Sequence, residues 1–226
     1  MRPTVAEINH EYPQIMTTSR RRFVLLSPLV VIGLGHLTAR LCSPYIGAWA
    51  WIPLMIVYWL AMAIVIYLSG GLGQVFAAYK INSGWQWWFL GVVIGLLPWP
   101  NLLLHYDLLH NIRLVILWLL VAIINPFFEE GYWRGLFGQV TDHWPAWLAC
   151  LYPTLFFTIG HPLQWGVISF ACRRWEMIVA LLVMGIAWSA TYRYTRSLRA
   201  ATFSHILVDL GNMSVWTFLN LLSLSR

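Results

Sequence analysis

Apolar stretches long enough to cross a bilayer constrain this chain more than any other feature. Residues 48–68 carry no charge at all, and a spanning helix needs roughly 20 mostly apolar residues. Comparable runs cover about 23–39, 85–104, 112–128, 146–161, 177–192 and 201–222. Composition agrees: 60% of residues are apolar and 10% charged, against about a quarter charged in a soluble domain, and the mean hydropathy is +0.68. The expected fold is all-α, a polytopic integral membrane helical bundle of about seven transmembrane helices. Residues 1–22 read as a polar N-terminal segment with Glu7, Glu11 and Pro13 and no cleavable signal. Residues 23–226 read as a single transmembrane domain.

Helix breakers punctuate these runs. Ser69-Gly70-Gly71 should end the second, and Pro98 and Pro100 should kink the third or end it early. The fifth should stop at Pro162. The apolar segment 162–172 is too short to cross and suggests a re-entrant or interfacial piece.

The net charge of +6 does not indicate nucleic acid. Basic residues sit in short clusters beside apolar runs (Arg20, Arg21, Arg22; Arg173, Arg174; Arg193, Arg196, Arg199), as topology-setting charges do. Counting alternate loops places nine Lys and Arg on one side and five on the other, which favours a cytoplasmic N-terminus. The short helices and loops suggest a bacterial inner membrane. Fifteen Trp suit a chain with many membrane–water boundaries. Cys42, Cys150 and Cys172 show neither a paired pattern nor metal-ligand spacing.

Chemistry is expected where charges interrupt apolar helices. One ionisable group at the bilayer centre costs on the order of 3 kcal/mol, so such groups face a protein interior or a wet cavity. In Phe127-Phe128-Glu129-Glu130-Gly131-Tyr132-Trp133-Arg134, Glu130 and Arg134 share a helix face and can pair. Glu129 then lies on a neighbouring face, free to act elsewhere. The bland alternative is a plain ion pair with Glu129 at the headgroups. Phe157-xxx-His161 precedes Pro162, and a lone His at a helix end is more often structural. His205 and Asp209 lie one turn apart on one face and need a polar partner; the alternative role is an interhelical hydrogen bond that fixes packing. Together these groups offer a base for water and donors for developing negative charge.

Taken in order on successive helices, Glu129-Glu130-xxx-Arg134, Phe157-xxx-His161 and His205-xxx-Asp209 resemble the three signatures of the CAAX prenyl-protease and bacteriocin-processing (Abi) family of glutamic intramembrane endopeptidases. The resemblance covers roughly 127–211, within a catalytic core expected at about 112–222 on helices 4, 5 and 7. It implies that Glu129 activates water with help from His161, that His205 and Asp209 stabilise the oxyanion, and that Glu130, Arg134 and Phe157 support the site. It implies no cofactor and no metal. Position 209 departs from the Asn of eukaryotic prenyl-protein endopeptidases. Asp209 must therefore be protonated, or orient His205 as a carboxylate–imidazole pair does. Glu129, His161, His205 and Asp209 are also plausible divalent-metal ligands, although no HExxH motif supports zinc.

The implied partners are the lipid bilayer and a membrane-associated protein or peptide substrate: a CAAX-like tail, a leader or a C-terminal sorting signal. Two other functions use the same residues. A proton-coupled transporter would use them as a relay, but no inverted repeat accompanies them. A non-catalytic membrane immunity or scaffold protein would keep them for packing.

Overall fold

The computed structural model describes residues 17–223. The N-terminal segment through residue 16, with Glu7, Glu11 and Pro13, lies outside the described residues, as does Arg226. All regular structure among the described residues is helical. The helices are α1 (Thr18–Ile46), α2 (Trp51–Leu68), α3 (Leu72–Ala78), α4 (Trp85–Gly95), α5 (Trp99–Leu104), α6 (Ile112–Glu130), α7 (Phe137–Val140), α8 (Ala146–Gln164), α9 (Trp175–Thr195), α10 (Arg199–Gly211) and α11 (Ser214–Phe218). A π-helical turn, Gly131–Leu136, joins α6 to α7.

Among the described residues, four stretches are long and apolar enough to cross a membrane: Thr18–Leu68, Trp85–Leu104, Ile112–Val140 and Trp175–Thr195. The first holds two helices, α1 and α2, joined by a 3-10 turn at Gly47–Ala50. Outward-facing Leu26, Leu29, Val30, Leu37 and Leu41 on α1 are exposed, as befits a helix bathed in lipid. The bundle is thus a polytopic membrane fold.

Several boundaries move. The first helix starts at Thr18 and takes in Arg20–Arg22, whose long stems allow the charged heads to reach a polar boundary. Ser69-Gly70-Gly71 does break the chain, with Gly70 at φ +73. The 85–104 run splits at Leu96–Pro98 into α4 and α5. Helix α8 passes Pro162 to Gln164, because a proline near a helix end removes only one hydrogen bond. The last expected span, 201–222, is interrupted: α10 stops at Gly211, and Met213 adopts a left-handed conformation. The 162–172 segment contains two 3-10 turns, Trp165–Val167 and Ala171–Arg173.

Helix directions follow from paired contacts. Helix α1 runs parallel to α8: Tyr152 donates to Leu25 O at 2.7 Å, and His36 Nδ1 meets Leu163 O at 2.6 Å, eleven residues further along both. Helix α10 runs antiparallel to α6, with Asn125 against Asp209 and Glu130 against His205. Against the other side of α10 lies α4, whose Gly91 and Gly95 face Ala200, Ser204 and Leu207. Small residues four apart allow such close helix approach in membranes.

Candidate active site

The site forms where α6, α8, α9 and α10 meet. Asn111 caps α6 by accepting from Leu114 N, and after Arg113 the helix runs apolar until Asn125, Glu129 and Glu130, all buried. The chain continues without a break into the π-helical turn, all six residues of which are buried. Such widened turns are frequent at functional sites. Arg134 lies within it and donates to Glu130 Oε1 at 3.1 Å, both side chains fully buried. Its guanidinium rests on the rings of Phe157, 4.6 Å away, and Trp188, 5.1 Å away.

His205 comes across from α10 and stands between carboxylates. Its Nδ1 is 2.8 Å from Glu130 Oε1, while Nε2 is 3.4 Å from Glu129 Oε2 and 3.8 Å from Asp209 Oδ1. Trp188 stacks on the imidazole at 4.5 Å with planes 17° apart, and its own indole N–H is held by Ser204 Oγ at 2.9 Å. The partner that orients His205 through Nδ1 is therefore Glu130, not Asp209. The i,i+4 spacing stacks Asp209 beside Nε2, too distant for a hydrogen bond, while Glu130 reaches Nδ1 from a facing helix.

His161 on α8 places Nδ1 2.8 Å from Phe157 O. A carbonyl only accepts, so Nδ1 carries the hydrogen, and in the neutral ring Nε2 keeps its lone pair. Phe157 contacts the rings of both His161, at 4.7 Å, and His205, at 6.4 Å. Glu129, His161, His205 and Asp209 all line one cavity. The four side chains singled out from sequence thus come together, and Glu130, Arg134 and Phe157 pack directly behind them.

Three further side chains belong to this cluster. Asn125 donates from Nδ2 to Asp209 Oδ2 at 3.2 Å and accepts from Trp59 Nε1 at 3.0 Å. Tyr58, whose hydroxyl accepts from Trp133 Nε1 at 3.1 Å, lies beside Glu129. Trp188 is the third. Asn125 had a visible signal, a polar residue one helical turn before Glu129 in an otherwise apolar run; the two aromatic residues had none among so many others. Among the described residues, no group of three or more His, Cys, Asp or Glu is arranged to hold a metal ion.

This arrangement can hold water between a carboxylate and an imidazole, with a second imidazole aimed at the same space. The cavity also offers apolar walls from Met55, Leu181 and Met184. Comparison with known proteins gives one finding: residues 111–211 match the family model described as type II CAAX prenyl endopeptidase Rce1-like. No curated protein and no solved structure matched the chain. The matched stretch runs from the cap of α6 to the end of α10 and carries Glu129, His161, His205 and Asp209, so this part of the chain is similar to that family.

Proposed function

We propose that this protein is an intramembrane endopeptidase of glutamic type that hydrolyses a peptide bond of a membrane-associated protein or peptide carrying a CAAX-like tail. The observation that carries this reading is the meeting of Glu129 Oε2 and His205 Nε2 at 3.4 Å in a cavity shared with His161 and Asp209.

Water sits between Glu129 and the lone pair of His161 Nε2. Glu129 takes a proton as the water oxygen bonds to the scissile carbonyl carbon. The resulting oxyanion is met by His205, an imidazolium whose Nδ1–H is held by Glu130 and whose Nε2–H faces the cavity. Asp209 helps only as the neutral acid, since an ionised carboxylate would repel the oxyanion. Asn125 donates to Oδ2, so Oδ1 bears that proton. When the tetrahedral species collapses, the C–N bond breaks and the proton on Glu129 passes to the leaving nitrogen. No metal takes part. With buried Arg134 left out, eight Lys and Arg against five support a cytoplasmic N-terminus.

The test is cleavage of an internally quenched peptide ending in a farnesylated CAAX sequence by purified protein in proteoliposomes. Glu129→Gln, His161→Ala and His205→Ala should each lower the rate by about 100-fold or more while remaining folded, and EDTA should leave the wild type unaffected. Full activity in Glu129→Gln would defeat the glutamic mechanism.

A further inference from the structure

One corner of the cavity holds polar atoms that the hydrolytic steps do not use. Asn212 and Ser214 both line the cavity, and each has a buried atom without a hydrogen-bond partner among the described residues: Asn212 Oδ1 and Ser214 Oγ. Ser214 is only 3% exposed. The Asn212 side chain lies beside Asp209. An unpaired buried polar group costs about 1–3 kcal/mol, and two of them so close together call for an explanation.

The backbone between them is strained as well. Met213 has φ 52° and ψ 56°, although its side chain is fully buried. A residue bearing a Cβ enters this region at a cost of about 1–2 kcal/mol. Neighbouring side chains hold the turn in place. Asn101 Nδ2 and Thr217 Oγ1 donate to Asn212 O at 3.2 and 2.8 Å. Trp99 packs so closely on Gly211 that a Cβ there would lie 2.6 Å from its ring. Strain kept in place by its surroundings is a mark of functional sites.

The location is also distinctive. Asn212 borders the catalytic cavity and, with Met177, both of the outward-opening grooves beside it. A peptide lying in either groove would meet Asn212 where that groove borders the cavity.

We propose that Asn212 and Ser214 form a main-chain-binding subsite for an extended peptide: Asn212 Oδ1 accepts a backbone N–H, and Ser214 Oγ donates to a backbone C=O beside the cleaved bond. The proposal rests on the hydrolase reading above. Such a subsite holds peptide backbone irrespective of side-chain sequence and sets the register in which the carbonyl reaches the water.

The test uses the farnesylated CAAX peptide and analogues in which each backbone amide flanking the cleaved bond is replaced in turn by an ester, which removes one N–H. One ester should lower wild-type kcat/KM by about fivefold or more. Asn212→Ala should lose about as much with the all-amide peptide and lose nothing further with that ester. Ser214→Ala should raise KM about fivefold and leave the melting temperature unchanged or higher, because it removes a hydroxyl with no partner. A lowered melting temperature with an unaltered KM in Ser214→Ala overturns the subsite, as does an ester penalty of equal size in wild type and Asn212→Ala. Anisotropy of a fluorescein-labelled peptide bound to Glu129→Gln protein separates the two readings. Weaker binding when Ser214→Ala or Asn212→Ala is added supports the subsite whatever Glu129 does, and equal binding overturns it.

Discussion

Glu130 Oε1 is shared by two partners, His205 Nδ1 at 2.8 Å and Arg134 NH1 at 3.1 Å. The first contact bridges 75 positions of sequence, and it ties the end of α6 to the imidazole that lines the cavity. Charge-assisted hydrogen bonds of this kind are the strong ones. Glu130 is therefore a positioning residue: it holds one face of His205 so that the other points at substrate.

Replacing Glu130 tests that role in two grades. Glu130→Ala leaves Arg134 as a buried unpaired charge, which costs about 3–5 kcal/mol and should lower the melting temperature by on the order of 10 °C. Glu130→Gln keeps an acceptor for Nδ1–H and removes the charge. It should stay folded and cleave about 10- to 100-fold more slowly, as loss of an orienting partner does elsewhere. Thermal unfolding and cleavage of the same preparations decide it. Wild-type cleavage in Glu130→Gln would show that His205 needs no such anchor.

Arg134 should not tolerate lysine. Its planar guanidinium lies against Phe157 and Trp188 while bonding Glu130, and a lysine ammonium offers neither the stacking nor the fork geometry. Arg134→Lys is expected to lose about 1–3 kcal/mol of stability, with a smaller effect from Trp188→Phe, which keeps a ring. Unfolding in detergent measures both. Equal melting temperatures for Arg134→Lys and wild type would refute the stacking argument.

Asn125 makes a sharper prediction about chemistry. The Trp59 indole N–H can only donate, so it fixes Asn125 Oδ1 as the acceptor and directs the amide nitrogen at Asp209. Asn125→Asp is isosteric but replaces that donor with an acidic group facing Asp209. We expect kcat to fall about tenfold with KM little changed, roughly the weight of one buried hydrogen bond. The exchange Asn125→Asp with Asp209→Asn restores a donor–acceptor pair and should recover stability. Steady-state kinetics and unfolding of the single and double variants give the answer, and an unchanged kcat in Asn125→Asp would remove Asn125 from the account.

Local spacing explains how much of the site was legible beforehand. Glu130–Arg134 and His205–Asp209 are four apart on helices, so their common faces follow from helix geometry alone. The pairs that cross between helices, Glu130 with His205 and Asn125 with Asp209, depend on how α10 packs on α6, which no local pattern encodes. Hydropathy found the apolar runs but missed the interruption at Met213, because a left-handed backbone conformation leaves no mark on an average taken over side chains. The π-helical turn escaped for a related reason: its six residues are individually ordinary, and their full burial comes from tertiary packing.

The close approach of α4 to α10 gives a test far from any ionisable group. An ideal Cβ on Gly95 would stand 2.7 Å from Leu207 Cβ and 3.1 Å from Ser204 O, whereas one on Gly33 of α1 would meet nothing within 4 Å. Gly95→Ala must push α10 away, at a cost of about 1–3 kcal/mol for overpacking. Because His205 and Asp209 ride on that helix, a shift approaching 1 Å should also slow cleavage by about 10- to 100-fold. Gly33→Ala, with equal chemistry and open space, should change neither quantity measurably. If Gly95→Ala melts and cleaves like the wild type, α4 does not set the position of α10, and the catalytic geometry must be held by α6 and α9 alone.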